Sequence, residues 1–83
     1  MKIENKTLLI TGGTGSFGNA VLKRFLNTGH FSEIRIFSRD EKKQDDMRRT
    51  YNNAKLKFYI GDVRNYDSIE RAARNVDYIF HAA

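Results

Sequence analysis

A chain of 83 residues holds at most one small domain, and it is short for a nucleotide-binding fold. It has no cysteine, which excludes a disulfide framework and a thiolate metal site, and Met1-Lys2-Ile3-Glu4-Asn5-Lys6 lacks the apolar core of a signal peptide. The net charge of +5 suits an anionic partner, but the basic side chains are interleaved with acidic ones rather than gathered on one surface.

Thr7-Leu8-Leu9-Ile10 is a short apolar run without polar alternation, which predicts a strand buried on both faces. Directly after it, Thr11 to Gly18 read TGGTGSFG, and a helical stretch follows. Gly12-x-x-Gly15-x-x-Gly18 has one residue more between its first two glycines than the common dinucleotide fingerprint. Placed between a strand and a helix, Gly12 lets the chain turn tightly, Gly15 lets a pyrophosphate approach the backbone, and Gly18 lets the helix pack against the sheet. The first helical turn then presents unpaired N–H groups and the positive end of its dipole to phosphate. From Ser16 to Thr28, Phe17, Val21, Leu22, Phe25 and Leu26 mark one helix face, with Gly29 at its end.

Glu33 to Phe37 is the second predicted strand, with Ile34 and Ile36 on one side. Asp40 to Tyr51 is a polar helix anchored chiefly by Met47 and Tyr51, and Asp45 stands four residues before Arg49 as on a solvated helix face. The run from Arg39 to Arg49 mixes bases with acids and has no aromatic residues interleaved with unopposed bases, which argues against a nucleic-acid surface. Leu56 to Ile60 is the third strand, and Asp67 to Arg74 the third helix, with Ile69, Ala72 and Ala73 inward. Asp77 to Ala82 is the fourth strand. No proline, repeat, low-complexity segment or apolar run of bilayer length interrupts this order, so the reading is a cytoplasmic protein without a membrane segment.

Strands alternating with helices predict an α/β fold with a parallel sheet of order 3-2-1-4, the N-terminal half of a Rossmann fold. The fourth strand would leave Tyr78, Ile79 and Phe80 beside an unpaired edge, a liability that natural proteins cover. Residues 1–83 therefore read as a dinucleotide-binding domain incomplete at its C-terminal end, unless a homo-oligomer pairs through the fourth strand.

The end of the second strand chooses between the nicotinamide cofactors. An NAD site places an acid about 20 residues beyond the glycines, to hold the ribose 2′-hydroxyl. Ser38-Arg39 stands there instead, and a hydroxyl beside a guanidinium can hold a 2′-phosphate, so the cofactor is read as NADP in preference to NAD. Lys42 and Lys43 add positive charge, though each singly fits a solvated face; Asp40 and Glu41 leave a route to a ribose hydroxyl open. Asp62 is read in two compatible ways: accepting from the adenine amino group, with Val63 packed beside the ring, or capping the third helix. Ala82 and Ala83 are small enough for the sheet edge to lie against the cofactor, and His81 reads as a satisfied histidine at a strand end rather than a catalytic base.

TGGTGSFG, FSRDEKKQ, GDVRNYDSI and DYIFHAA together resemble the extended short-chain dehydrogenase/reductases, and within them the bacterial UDP-N-acetylglucosamine 4,6-dehydratases of capsule, O-antigen and flagellin-sugar synthesis. The resemblance covers the whole chain; SFGNAVLKRFL and SRDEKKQ are its more specific parts. It implies a tightly held NADP that takes a hydride from C4 of a UDP-sugar and returns it at C6 after water is lost. By it, Gly12, Thr14, Gly15, Ser16, Phe17 and Gly18 would cradle the pyrophosphate. Ser38, Arg39 and Lys43 would meet the 2′-phosphate, Asp62 and Val63 the adenine, and Ala82 with Ala83 the ribose side.

The Tyr-x-x-x-Lys pair on which that chemistry depends belongs beyond the fourth strand. Tyr51 and Lys55 match the bare pattern but fall between the second helix and the third strand, away from the cleft. No catalytic residue is therefore assigned, and the segment is expected to bind cofactor without turnover. A non-catalytic dinucleotide sensor is the alternative. A P-loop phosphotransferase is a third and poorer reading, because Gly18 is followed by Asn19-Ala20 and not by Lys-Ser/Thr.

Overall fold

Strands and helices alternate along residues 5–82, the part of the chain that the computed structural model describes. They are β1 (Thr7–Thr11), α1 (Ser16–Phe25), β2 (Glu33–Ser38), α2 (Glu41–Tyr51), β3 (Leu56–Ile60), α3 (Tyr66–Ala73) and β4 (Tyr78–His81). All pairings are parallel and the order is β3-β2-β1-β4, as the alternation predicts. The chain steps from β1 to β2 to β3 in one direction, so right-handed crossovers put α1 and α2 on one face. It then reverses across β1 to reach β4, and the same handedness puts α3 on the other.

Packing follows that division. Leu8, Ile10, Ile34 and Ile36 meet Val21, Leu22, Leu26 and Met47 on the first face, while Leu9 and Phe37 meet Ala72 on the second, flanked by Ile69 and Val76. β1 is buried on both sides, which explains its unbroken apolar run. Each such Leu or Ile, taken out of water, contributes roughly 1.5–3 kcal/mol before the entropy of ordering is subtracted. Arg35 is a polar side chain on the second face. Its guanidinium donates to Ala72 O (2.9 Å) and Arg74 O (2.7 Å), tying the C-terminus of α3 to β2, and pairs with Glu33 at 2.6 Å.

Several boundaries differ from the sequence reading. α1 ends at Phe25, short of Thr28, because the Thr28 hydroxyl donates to Phe25 O (2.9 Å) and turns the chain away before Gly29. Asp40 precedes α2 as its cap, accepting from Lys43 N. α3 starts one residue early, and its cap is Asn65, which accepts from Ser68 N; Asp62 does not cap it. Asp77 lies outside β4 and accepts from Thr7 N at 2.8 Å. Tyr78 and Ile79 on β4 are 55% and 58% exposed, as expected of the sheet's unpaired edge. No helix among the described residues is long and apolar enough to cross a membrane.

Candidate functional site

The glycine loop is held from below by one carbonyl. Gly12, at φ 67°, turns the chain out of β1, and its N–H and that of Gly13 both donate to Phe37 O, at 2.9 and 3.3 Å. Gly15 N–H then bonds Gly12 O (3.2 Å) and closes the turn. Gly15 precedes α1 without any side-chain cap, and the first bond into the helix runs from Asn19 N to Gly15 O. The N–H groups of Ser16, Phe17 and Gly18 consequently have no protein acceptor among the described residues, the condition for an anion site. Asn19 steadies the loop by donating from Nδ2 to Gly15 O (3.0 Å) and Thr14 O (3.3 Å), and Tyr51 Oη donates to Asn19 Oδ1 at 3.2 Å.

Gly18 plays a different part from the one expected. A Cβ there would lie 2.6 Å from Gly13 Cα and 2.8 Å from Gly12 O, so this glycine lets α1 pack on the loop itself rather than on the sheet. Gly15 is the open position, where a Cβ would meet only Gly12 O at 3.5 Å.

A cleft of about 890 Å³ lies over the carboxyl ends of the strands. It gathers most of the predicted residues: Gly12, Thr14 and Gly15 from the loop, Ser38, Arg39 and Lys43 beyond β2, Asp62 and Val63 beyond β3, and Ala82 beyond β4. Ser16, Phe17 and Gly18 do not line it. The Phe17 ring stands edge to face with Phe80 at 5.4 Å, and its backbone N–H is the group that suits the pyrophosphate role implied above. Ala83 lies outside the described residues.

Charge in the cleft is organised around Asp62. The Arg64 guanidinium (2.8 Å) and backbone N–H (2.9 Å) both donate to its carboxylate, with Arg39 at 3.7 Å, and these contacts, those of Arg64 foremost, hold its pKa down at about 2. The same pair raises the pKa of Arg64. Lys42 leans along α2 to Asp46 (3.5 Å), a solvated-face pairing, whereas Lys43 lines the cleft. Asp40 and Glu41 line it too, but one oxygen of Asp40 already accepts from Lys43 N at 3.0 Å. His81 Nδ1 is hydrogen-bonded to the Thr11 hydroxyl. Tyr51 and Lys55 stay outside the cleft, Lys55 donating to Leu26 O at 3.3 Å.

Phe37, Gly61 and Arg64 also line the cleft and were not singled out from sequence. Gly61 had a readable signal, a glycine directly after a strand as at Gly12. A Cβ there would fall 2.8 Å from Phe37 Cζ and 2.8 Å from Ser68 Cβ.

A parallel sheet in this order, with a glycine loop leading from its first strand into a helix, is the Rossmann architecture of the short-chain dehydrogenase/reductases. More narrowly, residues 8–83 match the family model described as polysaccharide biosynthesis protein, and the chain belongs to that epimerase/dehydratase-like family. It is 72% identical to the UDP-glucose 4-epimerase of Rickettsia conorii, over 95% of this chain and 24% of that protein. The UDP-glucose 4-epimerase of Rickettsia prowazekii is 71% identical over the same shares. The chain thus spans about a quarter of the length of these curated relatives. Among solved structures, Pen from Bacillus thuringiensis superposes with a TM-score of 0.89 at 37% identity, covering 100% of this chain and 25% of that one. UDP-glucuronic acid 4-epimerase from Bacillus cereus, in complex with NAD, superposes with a TM-score of 0.74 at 18% identity over 93% of this chain and 27% of that one, a likeness of fold alone.

Proposed function

We propose that this chain is the cofactor-binding portion of an NADP-dependent nucleotide-sugar dehydratase or epimerase. The substrate proposed is of the UDP-N-acetylglucosamine type, and the role a step in cytoplasmic synthesis of bacterial surface polysaccharide. The observation that carries the cofactor is the tip of β2. Ser38, Arg39 and Lys43 line the cleft together, while the Asp40 carboxylate is engaged as the cap of α2. Alongside Asp40 and Glu41, a hydroxyl, a guanidinium and an ammonium gather beside the positive end of a helix dipole, a set of donors suited to a 2′-phosphate. Arg39, with a side chain 72% exposed and only loosely paired to Asp62, can turn to a phosphate at little cost.

The remaining roles follow from position. The free N–H groups of Ser16, Phe17 and Gly18 would take the pyrophosphate, the open face of Gly15 would admit its approach, and Gly12 and Thr14 would wall it. Asp62, ionised at neutral pH, would accept from the adenine amino group with Val63 against the ring, and Ala82 and Ala83 would leave room on the ribose side. When bound, NADP would supply hydride uptake and return at the sugar. The chain's own residues bind and orient it, and none is assigned an acid–base step.

The name carried by the Rickettsia relatives favours a second reading, a UDP-sugar 4-epimerase, which draws on the same cofactor site. A dinucleotide sensor without chemistry is the third. Calorimetric titration of the chain with NADP and with NAD tests the site. Tighter binding of NADP is expected; tighter binding of NAD would move the ribose contact to Asp40 or Glu41 and overturn the cofactor assignment. For a longer protein carrying this segment, mass spectrometry of UDP-N-acetylglucosamine after incubation separates the activities. Loss of water marks a dehydratase, an isomer of unchanged mass an epimerase, and an unaltered substrate favours the sensor.

A further inference from the structure

Gln44 is 1% exposed in a helix that is otherwise mostly solvated. Its Nε2 donates to Tyr59 O at 2.9 Å and to Ser38 Oγ at 3.0 Å, with Ser38 O at 3.4 Å, while its Oε1 is buried without a partner. The amide can face this way only, because reversal would set Oε1 against two carbonyl oxygens. A buried, unpartnered amide oxygen is unfavourable, and a Met or Leu would avoid it. Packing alone gives no reason for glutamine here.

Besides the bond to Tyr59 O, the reason lies with Ser38. Its hydroxyl oxygen accepts from Gln44 Nε2 and, at 3.4 Å, from Asp40 N, and among the described residues no protein group accepts its proton. A hydroxyl whose oxygen is engaged by two donors keeps its O–H to give, and Ser38 lines the cleft. We propose that Gln44 is a specificity-determining positioning residue: it holds the Ser38 hydroxyl as a donor for an anionic phosphate oxygen of the ligand. On the cofactor reading above, on which this inference rests, that oxygen belongs to the 2′-phosphate of NADP. A donor fixed in this way favours a phosphate over a ribose hydroxyl, since charge-assisted hydrogen bonds are about twice as strong as neutral ones.

The test is a double-mutant cycle read against two ligands. Gln44→Met keeps the length and apolar bulk of the side chain and removes only the amide. It should weaken NADP binding by about three- to tenfold while leaving NAD within about twofold. Ser38→Ala should do the same, and the double variant should be no weaker than Ser38→Ala alone. Gln44→Glu, whose carboxylate would draw the Ser38 proton to itself, should lose more NADP affinity than Gln44→Met. In the unliganded chain the Gln44 side-chain amide protons should exchange slowly by NMR, a readout that needs no ligand. Equal losses for NADP and NAD, an additive double variant, or exchange at the rate of a solvated glutamine would each overturn the inference. Wild-type chain that binds NAD as tightly as NADP, with slow amide exchange intact, would instead overturn the cofactor reading. Should Gln44→Met melt too low to titrate, the Ser38→Ala ratio and the exchange rate still decide.

Discussion

Two glycines of one loop should separate folding from binding. At Gly15 the backbone is extended (φ −77°, ψ 174°), and an added Cβ would meet only Gly12 O at 3.5 Å, an ordinary contact. Gly15→Ala should therefore leave stability within about 0.5 kcal/mol, or raise it slightly by stiffening the unfolded chain. At Gly18 the same methyl would stand 2.6 Å from Gly13 Cα and 2.8 Å from Gly12 O. Both are backbone atoms, and they cannot yield without deforming the loop. Gly18→Ala should cost about 1–3 kcal/mol, as overpacking does. For a domain of this size each kcal/mol corresponds to roughly 4–8 °C in Tm. Binding should behave oppositely at Gly15, because the space its missing Cβ leaves is where a pyrophosphate would approach the free N–H groups of α1. A loss of about 1.4 kcal/mol, a tenfold rise in Kd for NADP, is the least expected. Thermal melts by circular dichroism without ligand, followed by calorimetry with NADP, measure both. The reasoning fails if Gly15→Ala melts as low as Gly18→Ala, or if it binds as tightly as wild type.

Three further outcomes are expected. Asp62 has its folded pKa depressed from 3.8 to about 2, so its contribution to stability is complete above about pH 4 and lost as pH falls towards 2. Asp62→Asn should flatten the fall of Tm in that window and leave the slope between about pH 5 and 9 unchanged. Arg35→Met keeps the aliphatic stem but strips the bonds to Ala72 O and Arg74 O. It should destabilise by about 1–3 kcal/mol and speed hydrogen exchange at the C-terminal turn of α3, and unchanged exchange there would refute the capping role. NADP at a hundredfold excess over its Kd should raise stability by about 2.7 kcal/mol, and an unmoved melting midpoint would count against native-state binding.

The elements that sequence placed well are those whose signal is local. An apolar run, a glycine loop and an amphipathic stretch in direct succession specify β1, the turn and α1, and repeated alternation specifies a parallel sheet with its order. Ser38-Arg39 was legible for the same reason, since the tip of the second strand stands at a known distance from the glycines. What depends on the path of the chain in three dimensions was not. Asp62 and Asn65, three residues apart, are both good caps, and only the path of the chain, which gives Asp62 to Arg64 and Arg39, makes Asn65 the cap of α3. Gln44 read as one more polar residue on a solvated helix, because its partners Ser38 and Tyr59 come from two strands that the helix joins. Gly18 was assigned to the sheet because nothing local reveals that α1 descends onto Gly13.

Phe37 shows how contacts between segments unify the cleft. Sequence marks it only as the apolar end of a strand, yet its carbonyl accepts from both Gly12 and Gly13, and so fixes the loop beneath the free N–H groups of α1. Its fully buried ring meets the face of Gly61 where a Cβ would intrude, which seats the turn carrying Asp62 and Val63. The next residue is Ser38, whose hydroxyl Gln44 holds. The proposed pyrophosphate, adenine and 2′-phosphate contacts therefore lie on three segments that meet at a single residue, one through its carbonyl, one through its ring and one by direct succession. Phe37→Leu would keep the carbonyl and remove the ring, so on this argument the turn at Asp62 should loosen while the glycine loop stays ordered. Backbone amide exchange would read that as faster exchange at residues 61–64 and unchanged exchange at Gly12 and Gly13. Loosening of both segments together would mean that the ring, and not the carbonyl, holds the loop.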